Sequence, residues 1–471
     1  MSDLRGKTSS FLTIEDVAIG DTSSVMSKII FFLLCFVAAF STVLFGAVDN
    51  ITWAIISAFW AAIVLLWIAE AWKAGGVLVS WSPLQIPLAG FVLIGLIQLL
   101  PLGAATTGLN SPASATLSLD PYSTRFFVSK LIVYVTFFAA SLAFINNEKR
   151  LKKIVYFVII FGSGMALYGI LQRLANPDGI YGLREAAGAI PFGPFVNQHH
   201  FATFMQMAGG LAMGLLFGEK TAREQKILLS TAVVVMGVAT VSTGSRGGLL
   251  GFLSVVAFVT LLNFLSGRWS KENRAGSRNI QRDVAVAAAG LALIVVIFGV
   301  VLLIGGNDSL FRGLGVVQAD QDVSTGRLHF WPIALKIFLE HPILGAGFES
   351  FGVAFTRHDT LSGQFRVEQA HNEYLQTLAD AGIVGFLCLV AFILLLFKKG
   401  LKTIMGADGF RRDAASGALA GCLGVLIHSF FDFPLRTPSN AFFFLVICTI
   451  ATVSIKNSER TTHRRRRSTE P

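Results

Sequence analysis

Nine residues separate His371-Asn372 from Gly382-Ile383-Val384-Gly385, and an apolar run, Ile383 to Phe397, follows directly. An imidazole is the side chain whose charge ordinarily changes near neutral pH. At the mouth of a membrane helix, where water, headgroups and protein meet, it can take a proton from a hydroxyl. The small residues Gly382 and Gly385 let a neighbouring helix or a lipid tail come close. The pattern points to chemistry on a lipid-linked substrate at one membrane face. The blander reading of His371 is an interfacial imidazole satisfied by headgroups or water. Glu373 is near in sequence, but whether it orients the ring depends on the fold.

Such a substrate is anionic, and several arginines are placed to meet it. Arg246 lies in Thr243-Gly244-Ser245-Arg246-Gly247-Gly248. The flanking glycines allow a tight turn and leave the guanidinium room to approach a bulky group. Arginine grips phosphate oxygens with two donors and keeps its charge. Arg327 opens a helical stretch, where a cation opposes the macrodipole, and a broken local rule often marks function. Arg173 precedes the loop 176–198 and Arg184 lies within it, and Arg436 follows Pro434. Each of these three alone is more commonly a solvated or interfacial cation. Asn197, His199 and His200 border a span, and the two adjacent histidines point to different faces, which argues against joint metal binding. His428 and Asp432 are spaced i,i+4, for which a structural hydrogen bond is the default. Asp320 and Asp322 form an Asp-x-Asp pair that reads as solvated loop. Cys35, Cys388, Cys422 and Cys448 all lie inside apolar segments without metal-ligand spacing and read as packing residues.

The elements that position these groups belong to a membrane. Hydrophobic residues make up 54% of the chain and charged residues 14%, which excludes an ordinary soluble domain. A spanning helix needs about 20 mostly apolar residues. The segments 28–48, 52–71, 83–101, 124–146, 152–173, 199–218, 226–243, 247–266, 283–304, 374–397, 414–431 and 439–455 meet that need. The expected fold is an all-α integral membrane protein with about 12 transmembrane helices. Its expected parts are a cytoplasmic leader (1–27), a bundle (28–304), a periplasmic loop (305–372), a second bundle (373–455) and a basic cytoplasmic tail (456–471). No cleavable signal peptide is visible. Most of the 38 Lys and Arg fall on every second connection, the positive-inside pattern that places both termini in the cytoplasm. The basic tail is therefore a topology and headgroup feature, and nucleic acid is not an expected partner. Cations left on the outer side, among them Lys130, Arg312, Lys336, Arg357 and Arg366, are not asked for by topology, and an anionic outer substrate would account for them. In the long outer loop, Ser324 and Thr325 can cap a helix whose Leu328, Trp331, Leu335, Phe338 and Leu339 recur at helical spacing. That helix is expected to lie along the outer membrane surface and to end at Pro342.

The signature His371-Asn372, nine residues, Gly382-x-x-Gly385 resembles that of bacterial O-antigen ligases. Ser242 to Gly251, Gly326 to Trp331 and His341 to Gly347 are similar to segments of the same family, and the likeness is best over about 195–400. The superfamily includes O-antigen and exopolysaccharide polymerases. The resemblance implies a glycan donor on undecaprenyl pyrophosphate, a lipid A-core or glycan acceptor, and a site on the periplasmic side of the bacterial inner membrane. It implies His371 as base, Arg246 and Arg327 as diphosphate binders, and inverting transfer without metal. Arg184 and Arg173, from their place by the 176–198 loop, are further candidates for the diphosphate, and no cofactor is expected. None of the outer arginines has glycine eleven positions on, the spacing some polymerases carry, which leans toward the ligase branch. A transporter of the same lipid is the rival from another class. It should hold ionisable groups near the bilayer midplane, and Asp380 is the clearest of few.

Overall fold

The computed structural model describes residues 24–102, 116–175, 179–185, 189–218, 221–269, 284, 287–301, 326–360 and 367–455. In chain order the helices are α1 (Val25–Val43), α2 (Asn50–Ala74), α3 (Gln85–Gln98), α4 (Pro121–Phe144), α5 (Glu148–Ala175), α6 (Gln198–Leu216), α7 (Arg223–Ser242), α8 (Arg246–Trp269) and α9 (Ala287–Val301). The connection after α9 carries α10 (Arg327–Glu340) and the short α11 (Phe351–Phe355), and α12 (Glu373–Gly406), α13 (Gly409–His428) and α14 (Pro438–Thr452) follow. A helix thus forms at every apolar segment. Among the described residues the strand structure is a small antiparallel ribbon, in which Gly179–Ile180 pairs with Arg184–Glu185, and an isolated bridge between Phe192 and Phe195. The protein is an all-α membrane protein. Among the described residues seven helices are long and apolar enough to cross a bilayer, and α3, α9 and α14 are shorter apolar ones.

α6 and α13 are less apolar because they answer to protein rather than lipid. Both are buried nearly all round, and they pack against each other through glycine. A Cβ on Gly210 would stand 2.8 Å from the Gly417 carbonyl oxygen, and one on Gly214 would stand 2.4 Å from that of Asp413. Absent side chains let the two backbones approach. The first turn of α6 therefore meets the last turn of α13, bringing His199, His200 and Thr203 beside His428.

α12 begins on an Asn372 cap, whose Oδ1 accepts from the Tyr374 and Leu375 N–H groups at 3.1 Å. The helix breaks at Gly382, where φ is 62° and ψ −162°. The Ile383 and Val384 N–H groups donate instead to the Pro342 and Ile343 carbonyls at 2.8 and 3.3 Å. A Cβ on Gly382 would lie 2.4 Å from the Ile343 carbonyl carbon. This corrects the expected role of Gly382: the neighbour it admits is the backbone of the 342–345 loop, not a lipid tail or another helix. Gly385 faces Phe91 of α3 at 3.8 Å from its would-be Cβ. Gly382→Ala is expected to destabilise the protein by roughly 2–4 kcal/mol, combining backbone strain with a clash against main chain. Thermal unfolding in detergent checks this, with Gly406→Ala, a site with nothing within 4 Å, as the control. Equal midpoints for the two variants would remove the strain argument.

α10 is the expected surface helix, with a second correction. Its buried residues are Ile333, Ala334 and Ile337, which pack with Phe330 against α11 and α12. Leu328, Leu335 and Leu339 of the predicted stripe are exposed. The helix is apolar on two sides, and the side bearing Ile333, Ala334 and Ile337 faces protein. Its cap is Gly326 at φ 84°, without a side-chain hydrogen bond. The leader up to residue 23, Arg312, Asp320, Asp322, Ser324, Thr325, Arg366, the 270–283 connection and the tail 456–471 lie outside the described residues.

Candidate active site

His371 sits one residue ahead of the α12 cap with φ 51°. The left-handed region is uncommon outside glycine, although Asn, Asp and His enter it more readily than other residues. This conformation turns the ring toward the 429–437 turn, and its Nδ1 lies 3.1 Å from Asp432 Oδ1. The imidazole is one-third exposed (33%) and the carboxylate buried (1%). With Nδ1–H donating to the carboxylate, Nε2 carries the lone pair. Phe433 meets the ring edge-on at 4.9 Å, and Phe330 stacks at 6.1 Å. Burial by itself would raise the Asp432 carboxyl. The His371 hydrogen bond and the neighbouring His200, His199 and His371 charges outweigh it and hold the carboxyl well below the usual carboxylate range.

Three more histidines surround Asp432. His200 Nε2 is 3.6 Å from Oδ2, while its Nδ1 lies 2.6 Å from Thr437 Oγ1. His199 Nδ1 is 2.7 Å from Ser245 Oγ. Its helix starts on Asn197, whose Oδ1 accepts from the His199 N–H at 2.8 Å. His428 Nδ1 is 2.7 Å from Thr203 Oγ1 and 3.2 Å from Gln206 Nε2. The expected helical bond from His428 to Asp432 does not form, because α13 ends at His428 and the chain turns before Asp432. One ligand atom each from His199, His428 and Asp432 lies within 4.8 Å of the others. The adjacent histidines do face different partners, but His199 joins a group of three through residues distant in sequence. Two imidazoles and a carboxylate are a donor set able to hold a divalent cation.

Arg327, the first residue of α10, donates from Nε and Nη2 to the Phe431 carbonyl at 3.0 and 2.7 Å, next to Asp432. Arg246 opens α8, and the glycine after it explains how it comes near. A Cβ on Gly247 would stand 2.7 Å from the His428 ring and 3.0 Å from Phe431. Arg246, Arg327, His371 and Asp432 all lie within electrostatic reach of His199. Arg173, in the last turn of α5, and Arg184 are not joined to this group by any contact among the described residues. Arg184 forms an ion pair with Asp49 and lies over the Phe45 ring at 5.0 Å.

Arg436, read from sequence as a surface cation, is buried. It pairs with Glu349 at 2.7 Å, Asp380 at 2.9 Å and Glu373 at 3.3 Å. Burial would lower its pKa, but these three carboxylates outweigh that and hold it above its ordinary value. Glu373 therefore serves Arg436 rather than His371, and the Glu373 N–H donates to the Ser429 carbonyl at 2.9 Å. The network ties the turn that carries Asp432 to α12 and to the 345–350 loop. Sequence reading missed Asp432 as partner of His371, and the cue available was an acidic residue at the same outer end as the histidines. Cys422 and Cys448 are buried with sulfurs 3.9 Å apart, and all four cysteines are free.

Comparison with known proteins bears on this end of the bundle. The model of a family described as O-antigen ligase matches residues 231–390, which include Arg246, Arg327, His371 and the glycine motif. The chain is 23% identical over 264 residues to the exopolysaccharide production protein ExoQ of Rhizobium meliloti (strain 1021), covering 55% of this chain and 52% of that protein. The chain thus spans about half the length of the curated relative it matches. Both matches are to proteins whose descriptions concern surface polysaccharides, and the first supports a likeness to the O-antigen ligase family.

Proposed function

We propose that this O-antigen ligase-like chain is a glycosyltransferase that moves a glycan from an undecaprenyl-pyrophosphate carrier to an acceptor hydroxyl at the periplasmic face of the inner membrane. The observation that carries the reading is the 3.1 Å pair of His371 and Asp432 beside Arg246 and Arg327. In the proposed reaction His371 Nε2 takes the acceptor proton as the acceptor oxygen attacks the anomeric carbon. The bond from that carbon to the pyrophosphate oxygen breaks, with inversion. Asp432 holds the ring in the tautomer that leaves Nε2 unprotonated and stabilises the imidazolium that forms. Arg246 and Arg327 stabilise charge as it develops on the leaving diphosphate. Arg173 and Arg184 are left out of this step, since Arg184 is committed to Asp49. The acceptor is lipid A-core or another glycan. A polymerase of the same superfamily is the second reading, favoured by the relative's name, exopolysaccharide production protein. The transporter reading is weakened because Asp380 is buried in an ion pair with Arg436 and accepts a hydrogen bond from Gln376.

Arginine substitutions test the proposal. Lys at 246 or 327 keeps charge but loses the planar fork, so turnover is expected to fall more than donor affinity, while Ala at either position lowers both. The measurement is glycan transfer and donor binding by purified protein, with and without EDTA. No EDTA effect is expected. Transfer lost on chelation and restored by a divalent ion would replace the metal-free mechanism with one using His199, His428 and Asp432. Donor translocation without transfer to any acceptor would favour the transporter.

A further inference from the structure

At the far end of α12 from His371, a cavity of about 720 Å3 opens between that helix, the start of α13 and the end of α14. Four cations line it: Lys398, Lys399, Lys402 and Arg411. Two carboxylates also face it, Glu148 and Asp408. Glu148 is taken by Lys152 at 2.6 Å, and the Lys152 ammonium lies over Phe410 at 5.6 Å. Lys399 donates to Ser82 Oγ at 3.1 Å, and Arg411 donates to the Ile450 and Val453 carbonyls at 2.8 and 2.6 Å. Among the described residues, no carboxylate is ion-paired with any of the four cations. Among the described residues, the concavity therefore gathers more cations than carboxylates, and none of the four cations is held in an ion pair.

The remainder of the wall is apolar, with Pro83, Leu395, Val453 and Ile455. Lys398 follows directly on the apolar run that ends at Phe397, so the cavity stands where hydrocarbon gives way to headgroups. The positive-inside pattern accounts for cations at this level, but not for their enclosure around one space with an apolar side. A ligand matching both zones carries phosphate at one end and hydrocarbon at the other. We propose that this cavity binds the phosphate-bearing headgroup of an anionic phospholipid, with its acyl chain along Leu395 and Ile455. Lys398 and Lys402, both exposed, supply the adaptable contacts, while Arg411 and Lys399 form the fixed floor.

The probe is fluorescent phosphatidylglycerol titrated into the full-length protein in neutral detergent, with phosphatidylcholine in parallel. Phosphatidylglycerol is expected to bind the tighter of the two. Lys398→Gln with Lys402→Gln should weaken it roughly 30-fold, at about fivefold for each cation near a headgroup. Lys73→Gln with Lys149→Gln, at cations that do not line the cavity, should leave binding unchanged. Leu395→Trp keeps every charge and fills the apolar side, and it too should weaken binding. Equal affinity for the two lipids, unchanged affinity in the Lys398/Lys402 variant, or equal loss in the Lys73/Lys149 variant would overturn the proposal. Inorganic phosphate or pyrophosphate that displaces the lipid at millimolar concentration would assign the site to a free anion instead, and that too would overturn it.

Discussion

Replacing His371 by Asn is expected to lower glycan transfer by roughly 10²–10⁴-fold, the usual contribution of a positioned base, with expression and thermal midpoint near wild type. Asn is the informative choice because residue 371 holds φ at 51°. Asn tolerates the left-handed region far better than Ala, so lost activity cannot be blamed on backbone strain. His371→Ala should lose as much activity and also some stability. The assay is transfer from lipid-linked donor by purified protein, with donor binding measured separately. Binding should change little, since in the proposed mechanism the base acts on the acceptor. Transfer near the wild-type rate in the Asn variant would remove His371 from the chemistry.

Asp432→Asn is expected to cost a similar factor, roughly 10²–10⁴ in turnover, by a different route. The amide keeps the shape of the side chain but can present a donor where the carboxylate accepts. Facing an amide N–H, His371 Nδ1 would accept, and Nε2 would then carry the proton and lose its capacity as base. Asp432 acts through His371, so turnover should fall while donor affinity holds. Stability should also respond. A carboxylate held below its ordinary range contributes stability that is present at neutral pH and lost only in acid. The Asn variant should therefore be less stable than wild type at pH 7, and the gap should narrow as the pH is lowered. Unaltered turnover would show that the 3.1 Å pair orients nothing that matters to the reaction.

The apolar segments were legible because lipid imposes a length and a composition that folding cannot override, and helices stand at every one of them. His371 and Asn372 were legible as a motif, although the cap that Asn372 provides came only with coordinates. Asp432 was not legible as partner of His371. The two are far apart in the chain, and the i,i+4 spacing from His428 suggested a helical bond that α13 ends too early to make. Arg436 was misread for a related reason: its three carboxylates come from two distant stretches of chain, Glu349 from the 345–350 loop and Glu373 and Asp380 from α12, so local sequence shows only a cation after a proline. The face of α10 was misassigned because apolar residues recur on two sides of the helix, and spacing alone does not say that Ile333, Ala334 and Ile337 rather than the leucines face the interior.

The glycine seam between α6 and α13 bears on how the chain is made. Neither helix is among those apolar enough to enter a bilayer by length and composition, yet together they carry His199, His200 and His428. α6 emerges from the ribosome long before α13 exists to cover its glycine face. During that interval it depends on α5 and α7 for shelter, and the histidine cluster cannot assemble until the last three helices have been synthesised. Biogenesis thus delivers most of the bundle first and completes its histidine-bearing end last.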